Sequence, residues 1–367
     1  MKKASLFIVL LLIAGCGGQA DTVKIGVIAP LTGVASYIGE EVQQGVLLAQ
    51  EEINAQGGID GKLVEIRFED GRGDRAATVA ALHSLLATFA PDVVIESSAT
   101  LSVTPIAQEQ KVPLLATVAS ASQIPAEGDH IFRLFTNADS DSPVIAGYAV
   151  DKLGFKRIAI LYVDELFGHS YRDVFTKIVE KKGGEILTAE AITYTEWDYS
   201  TPLLKIKQAQ PDALYIIGIE NQITNAMDQM AVLDMLDIPL LAVGTIATPN
   251  GVAAMAKHDV AAYTSAFCLD AMPGEYLAKF MAKYEHYPGF FTTFGYDSVM
   301  VIKDAVSRRG NERAEIRDGL ATVKDFASTV GTVSADSQGE MVFPMCPKQV
   351  SEKGVLDLVS GNYYDLG

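Results

Sequence analysis

The chain has 367 residues, enough for two domains of ordinary size. It is 49% apolar and 20% charged, the balance of a packed globular protein and not of a disordered one. Its net charge of −17 excludes nucleic acid and anionic lipid headgroups as expected partners.

Lys2 and Lys3 precede an apolar run from Ala4 to Ile13, too short to span a bilayer. Ile13-Ala14-Gly15-Cys16 follows, small residues ahead of a cysteine, as in a secretory signal cleaved to leave Cys16 first. The pattern resembles the bacterial lipoprotein box. That implies a signal peptide over residues 1–16, lipid on Cys16 and a flexible tether over residues 17–22. An ordinary signal with an incidental cysteine is the alternative. Loss of the two lysines takes the net charge from −17 to −19. No second long apolar stretch follows, so the remainder is expected to be soluble and exported, anchored at the periplasmic side or cell surface through Cys16. An oxidising compartment permits Cys268 and Cys346 to pair, and sequence leaves both states open. No cluster of ligating residues lies near either cysteine, so no metal site is expected.

After the tether, "VKIGVIA" reads as a strand, and Tyr37 to Ala55 has helical period with Val42, Val46, Ala49 and Ile53 on one face. Gly57-Gly58 ends that helix, and "KLVEIRFED" alternates like a strand. Asp74 then caps "RAATVAALHSLLATF"; "DVVIE", a short helix and "VPLLAT" follow. This order implies a parallel sheet with helices on both faces. "FRLFTNADSDSP", Phe132 to Pro143, reads as a crossover. The theme repeats with "KRIAILYVD", a helix from Ser170 to Lys182, Gly183-Gly184 and "EILTAEAITY". "DALYIIG", a helix from Asn221 to Leu236 and "IPLLAVG" complete it. The repeat argues for two lobes of like α/β fold.

The remainder reads as Glu275 to Arg308, helical with a break near Pro288-Gly289, then a helix from Asn311 to Val323. A hairpin turns at Asp336 to Gly339, and "GVLDLVSGNYYDL" ends the chain as a strand pair. This material would complete both lobes, so the chain crosses between them more than once and the connections act as hinges.

Ligands of parallel sheets sit at the C-terminal strand ends. The first strand ends at Pro30-Leu31-Thr32-Gly33, with Tyr37 beyond; the third ends in "ESSATLS", Glu96 to Ser102; the fourth in "ATVASAS", Ala116 to Ser122. Short hydroxyls beside free helix N–H groups suit a carboxylate. Plain helix capping is the alternative for each turn. In the second lobe, Tyr162, Phe167, Ile219, Glu220 and Ile246 stand at strand ends and would cover an apolar ligand body, or pack between lobes.

"KIGVIAPLTGVASYIGEEVQQGVLLAQEEINAQGGIDGKLVEIRFED" resembles the leading segment of bacterial type I periplasmic binding proteins, in the leucine/isoleucine/valine-binding class. The likeness runs through nearly all of the mature chain, "GYDSVMVIKDAV" and the late hairpin included. It implies two Rossmann-like lobes with parallel sheets, joined by three crossovers, that close on a small ligand and deliver it to a membrane ABC permease. The lobes would comprise residues 23–138 with 271–337 and residues 139–270 with 338–367. A monomer without cofactor or enzymatic activity is expected. By the same resemblance, Thr100 binds the ligand carboxylate, Val118 and Ser120 add backbone groups and a hydroxyl, Phe167 packs on the ligand and Tyr37 lines the pocket. Ile219 stands where a tyrosine is common. Gly244-Thr245-Ile246-Ala247 lacks the acid that pairs with an amino-acid ammonium, and Glu220, Asp164 or Glu165 would replace it. A branched-chain or other hydrophobic amino acid leads as ligand, ahead of an aromatic or aliphatic carboxylic acid without an amino group. The disulfide some relatives carry after strand two is absent, since Gly73 and Ala99 hold those places.

"GRGDRA", Gly71 to Ala76, matches a dinucleotide-binding turn with Glu96 ending the next strand. Asp70 and Asp74 would repel a pyrophosphate there, and the turn follows the second strand, so a nucleotide-dependent enzyme is the remote alternative. The five histidines are scattered. A sensory module on the same lobes is a third class, distinguished from transport by its partner.

Overall fold

The computed structural model describes residues 22–121, 123–268 and 272–360, and the backbone of residues 363 and 364. The expected signal peptide, Cys16, most of the tether and Ser122 lie outside the described residues.

The first lobe runs β1 (Thr22–Ala29), α1 (Ser36–Ala55), β2 (Leu63–Asp70), α2 (Arg75–Thr88), β3 (Val93–Glu96), α3 (Thr104–Glu109), β4 (Leu114–Thr117) and β5 (Ile131–Leu134). These strands form one parallel sheet in the order β2-β1-β3-β4-β5. β3, β4 and β5 are buried at every position, so they show no alternation and are apolar except at Glu96, Thr117 and Arg133. A core lies on each face of the sheet, one around Ile28, Leu82 and Leu114, the other around Ile25, Val46 and Phe294.

The second lobe runs α4 (Ala138–Asp151), β6 (Arg157–Val163), α5 (Leu166–Lys181), β7 (Glu185–Ile192), α6 (Ser200–Ala209), β8 (Ala213–Ile217), α7 (Glu220–Val232), β9 (Leu240–Ala242), α8 (Pro249–His258) and β10 (Ala262–Phe267). The chain then returns to the first lobe with α9 (Gly274–Tyr284), α10 (Phe290–Arg309) and α11 (Arg313–Ala321). β11 (Phe326–Ser328), β12 (Gly331–Ala335) and β13 (Met341–Val342) make a small antiparallel sheet. Finally β14 (Met345–Ser351), β15 (Gly354–Asp357) and β16 (Tyr363–Tyr364) join the second lobe, whose sheet has the order β16-β15-β14-β10-β9-β8-β6-β7. Its last three strands are antiparallel additions to a parallel set.

Strands β5, β10, β11 and β14 and helices α4, α6 and α8 were not apparent from sequence. β5 lies inside the stretch read as crossover, because Arg133 interrupts its apolar run. That arginine is buried, with its guanidinium on Glu340 at 2.6 Å and on the Ala121 carbonyl at 2.5 Å. β10 carries Thr264 and Ser265 side by side in its middle, and α8 opens on Pro249 shortly after a turn at Gly244–Ile246. Phe135 packs in the first lobe's core and Ala138 in the second's, with Thr136–Asn137 between them. Met341 and Phe343 pack in the first lobe's core, ahead of Pro344. The second crossing follows Phe267, which packs against the first lobe's core.

The second and third crossovers run side by side, since β10 pairs antiparallel with β14. Cys268 and Cys346 are bonded there, with Cα atoms 5.0 Å apart, and Cys268 N–H donates to the Pro344 carbonyl at 3.0 Å. The cysteine pair left open by sequence is a disulfide that ties two of the three crossovers together. Among the described residues no helix is long and apolar enough to cross a membrane.

Candidate functional site

In the turn after β1 the backbone donors of Leu31 and Thr32 are already engaged. Asp70 at the end of β2 accepts from Leu31 N–H at 2.9 Å, from Thr32 N–H at 3.3 Å and from Arg72 N–H at 2.9 Å, and Thr32 Oγ1 donates to it at 2.5 Å. Thr32 heads the hydrogen bonds that hold this carboxylate below its ordinary range against a desolvation cost. A carboxylate therefore ties the turn after β1 to the turn after β2.

Three connected chambers line the gap between the lobes. The central one, about 740 Å³ counting space open to the cleft, is walled by aromatic rings. Phe135, Phe290 and Phe291 come from the first lobe, Phe167, Tyr171 and Tyr194 from the second, and Phe267 and Met345 from the crossovers. The rings interlock: Phe135 meets Phe290 edge-on at 6.1 Å, and Phe167 lies 4.9 Å from Tyr171. Such walls favour an apolar ligand body.

Val118 and Ser120 line this chamber. Val118 has φ of 54°, a left-handed conformation that a β-branched residue rarely adopts. Holding it costs of order 1–3 kcal/mol, and such strain persists where surrounding structure enforces it. Arg133 supplies that enforcement, since its Nη1 donates to the carbonyl of Ala121 in the same turn. Phe167 and Ile219 also line the central chamber.

The other predicted residues are placed differently. Tyr37 and Glu220 line a neighbouring chamber with Glu41, reached past Ile219 and Phe291. Glu220 accepts from Thr248 Oγ1 at 2.5 Å and from Asn250 Nδ2 at 2.9 Å, so it is anchored to α8 and away from the central chamber. Thr100 lines an outer chamber that meets the central one at Val118, Ser120 and Phe167. Its hydroxyl donates to buried Glu96, which also accepts from Ser98 N–H at 2.7 Å and Ala99 N–H at 2.9 Å. Burial pushes the Glu96 carboxyl up to about 7 despite these bonds. Thr100 thus holds an internal carboxylate at the edge of the outer chamber. Ile246 is fully buried in the second lobe's core, and Thr245 beside it reaches the central chamber. Asp164 pairs with His169 at 2.9 Å, and Glu165 faces the outer chamber.

Sequence reasoning missed Asp141, Ser265 and the Phe290–Phe291 pair. Asp141 stands in the first turn of α4, where a second acid after Asp139 in "NADSDSP" was the available signal. It is 5% exposed and accepts from the Tyr171 hydroxyl at 2.5 Å and from Ser140 Oγ at 3.3 Å. Burial pushes its carboxyl up to about 7, against the pull of those bonds. The aromatic pair sits at the start of α10, which Gly45 and Gly295 allow to lie directly on α1. A Cβ at Gly45 would stand 2.1 Å from the Thr292 carbonyl oxygen, and one at Gly295 would stand 2.4 Å from that of Val42.

Two lobes built on parallel sheets, with an apolar cleft between them and three crossovers behind it, define the type I periplasmic binding fold of ABC-transporter solute receptors. The chain belongs to the periplasmic binding protein family, whose sequence model matches residues 22–354. A Leu/Ile/Val-binding protein homologue from Brucella melitensis is 25% identical over 328 residues, 88% of this chain and 89% of the relative. A leucine-, isoleucine-, valine-, threonine- and alanine-binding protein from Pseudomonas aeruginosa is 25% identical over 327 residues, 88% of each. Among solved structures, the branched-chain amino acid transporter substrate-binding protein of Streptococcus pneumoniae, in complex with isoleucine, is 25% identical. It superposes with a TM-score of 0.79 over 91% of this chain and 98% of that one. A solute-binding protein from Rhodopseudomonas palustris in complex with 3,4-dihydroxybenzoic acid is 23% identical and has the same fold, with a TM-score of 0.81 over 92% and 98%.

Proposed function

We propose that the central chamber binds a hydrophobic amino acid, by its carboxylate at the Val118–Ser120 turn and by its side chain among the aromatic rings. The observation that carries this reading is the strained, hydroxyl-bearing turn opening directly onto an aromatic cavity between two lobes. Free N–H groups and a short hydroxyl at a strand end suit a carboxylate, and rings from both lobes gain contact when the cleft closes on an apolar body. The relatives named for leucine, isoleucine and valine binding support the same class.

Closure proceeds by rotation of the lobes about the crossovers at Thr136–Asn137, Phe267–Cys268 and Pro344–Met345. Phe267 and Met345 wall the chamber and belong to two of those crossovers, so the ligand touches the hinge itself. The loaded protein presents its ligand to a membrane ABC permease, tethered by lipid on Cys16. A thermal-shift panel on refolded, ligand-stripped protein tests the ligand class, because a ligand of the native state raises the melting point by mass action. Shifts with leucine, isoleucine, valine or phenylalanine, and none with sugars or polyamines, are expected. Shifts confined to sugars or polyamines would contradict the reading. A Cys16→Ser variant recovered in the soluble fraction, against membrane-bound wild type, would support the anchor.

A further inference from the structure

Resting on the reading of the cleft as an amino-acid site, we propose that Asp141, with Ser265, receives the ligand's ammonium group and so selects amino acids over their deaminated acids. Asp141 is the single acid among the described residues that line the central chamber. Glu220, which the sequence suggested for this role, is engaged by Thr248 and Asn250 in the neighbouring chamber. The position near Ile246 carries no acid at all.

A carboxylate buried in an aromatic cavity needs a positive partner to stay ionised. The titratable groups packed against Asp141 are Tyr171 on α5 and Tyr215 on β8, and burial holds both phenols protonated. Neither supplies a positive charge; Tyr171, Ser140 and Thr136 give only neutral hydrogen bonds. The charge balance of the site is therefore left to the ligand.

Ser265 supplies the second, independent observation. It lies on β10, lines the same chamber and is 2% exposed, and its Oγ is buried with no hydrogen-bond partner. An orphaned hydroxyl is costly unless a ligand completes it. An ammonium carries three N–H donors, one for the Asp141 carboxylate and one for Ser265 Oγ. A deaminated acid offers neither and leaves Asp141 to be buried in its neutral form. Asp141 also follows the first crossover directly, so an ammonium docked there links the ligand to the hinge.

Calorimetry on refolded, ligand-stripped protein tests this with leucine against 4-methylpentanoate and phenylalanine against 3-phenylpropanoate. Wild type is expected to favour the amino acids by roughly 10- to 100-fold, the range of a hydrogen-bonded charge. Asp141→Asn should abolish most of that preference while holding the deaminated acids within a few-fold. Ser265→Ala should reduce it partially. Equal binding of both members by wild type, or an unchanged preference in a folded Asp141→Asn protein, would overturn the proposal and leave the carboxylate reading intact. Binding of neither member by wild type would overturn both. Should Asp141→Asn fail to fold, the pH dependence of wild type decides. Amino-acid affinity should rise between pH 5 and 8 as Asp141 ionises, while affinity for the deaminated acid does not; parallel profiles would refute it.

Discussion

Ser120 and Thr100 carry hydroxyls on adjacent strand-end turns, yet the structure gives them different work. Ser120→Ala should weaken a carboxylate ligand by about 1–3 kcal/mol with little effect on stability, because Ser120 lines the chamber. Thr100→Ala should do the reverse, lowering stability by about 1–3 kcal/mol through Glu96 and leaving affinity nearly unchanged. Titration calorimetry with denaturant melts on both variants separates the two outcomes. Arg133 is the larger case. Arg133→Met leaves Glu340 with only Asn137 Nδ2 at 3.0 Å, frees the Ala121 carbonyl and releases the strained turn. A loss of about 3–5 kcal/mol is expected in urea melts, with weaker ligand binding in the protein that remains folded. The hydroxyl-rich turns were legible in the sequence because serine and threonine cluster there. Which hydroxyl was already committed was not, because that depends on Glu96 lying within reach, four residues earlier and fully buried.

Among the elements, the alternation of strand and helix is written plainly in much of the sequence, down to the Gly-Gly stops after α1 and α5. β5 escaped detection because a buried arginine breaks its pattern, and that arginine is tolerated only through Glu340, which lies 207 residues away in sequence. The lobe that late residues join is hidden in the sequence for a related reason. Met341 and Phe343 carry no local mark of which core they enter, and only the packed structure assigns them. The α1–α10 contact depends on glycine in the same non-local way. Gly45→Ala places a methyl against backbone atoms of α10, 2.1 Å from the Thr292 carbonyl oxygen and 2.7 Å from Tyr296 N. The helices must part, at a cost of about 1–3 kcal/mol. Because α10 starts with Phe290 and Phe291, the same change should loosen the chamber and lower affinity, measurable by melting and calorimetry on one preparation. Wild-type affinity in Gly45→Ala would show that the aromatic wall is not set by this contact.

For the whole molecule, the Cys268–Cys346 bond and the buried carboxyls set stability. The disulfide closes 78 residues of sequence, and replacing both cysteines by serine should cost about 2–4 kcal/mol in denaturant melts. Burial raises Glu96, Asp141 and Asp297 to about 7. Groups raised in the folded state favour folding while protonated, so their contribution is full below the ordinary carboxyl range and is lost as pH rises through 7. The ligand-free protein should accordingly melt at a lower temperature at pH 8 than at pH 5; a flat or rising profile would contradict these shifts. Asp129, lowered to about 2 chiefly by its hydrogen bond from Gln108, acts only at the acid extreme, well below that window.

The proposed function requires that the two lobes close on a hydrophobic amino acid in the chamber between them. Small-angle X-ray scattering of refolded, ligand-stripped protein, before and after saturation with a ligand that shifts its melting point, tests it most directly. Closure about the three crossovers predicts a smaller radius of gyration and a narrower distance distribution in the saturated sample. Saturation with the ligand and no change in either would place binding outside the cleft and contradict the account.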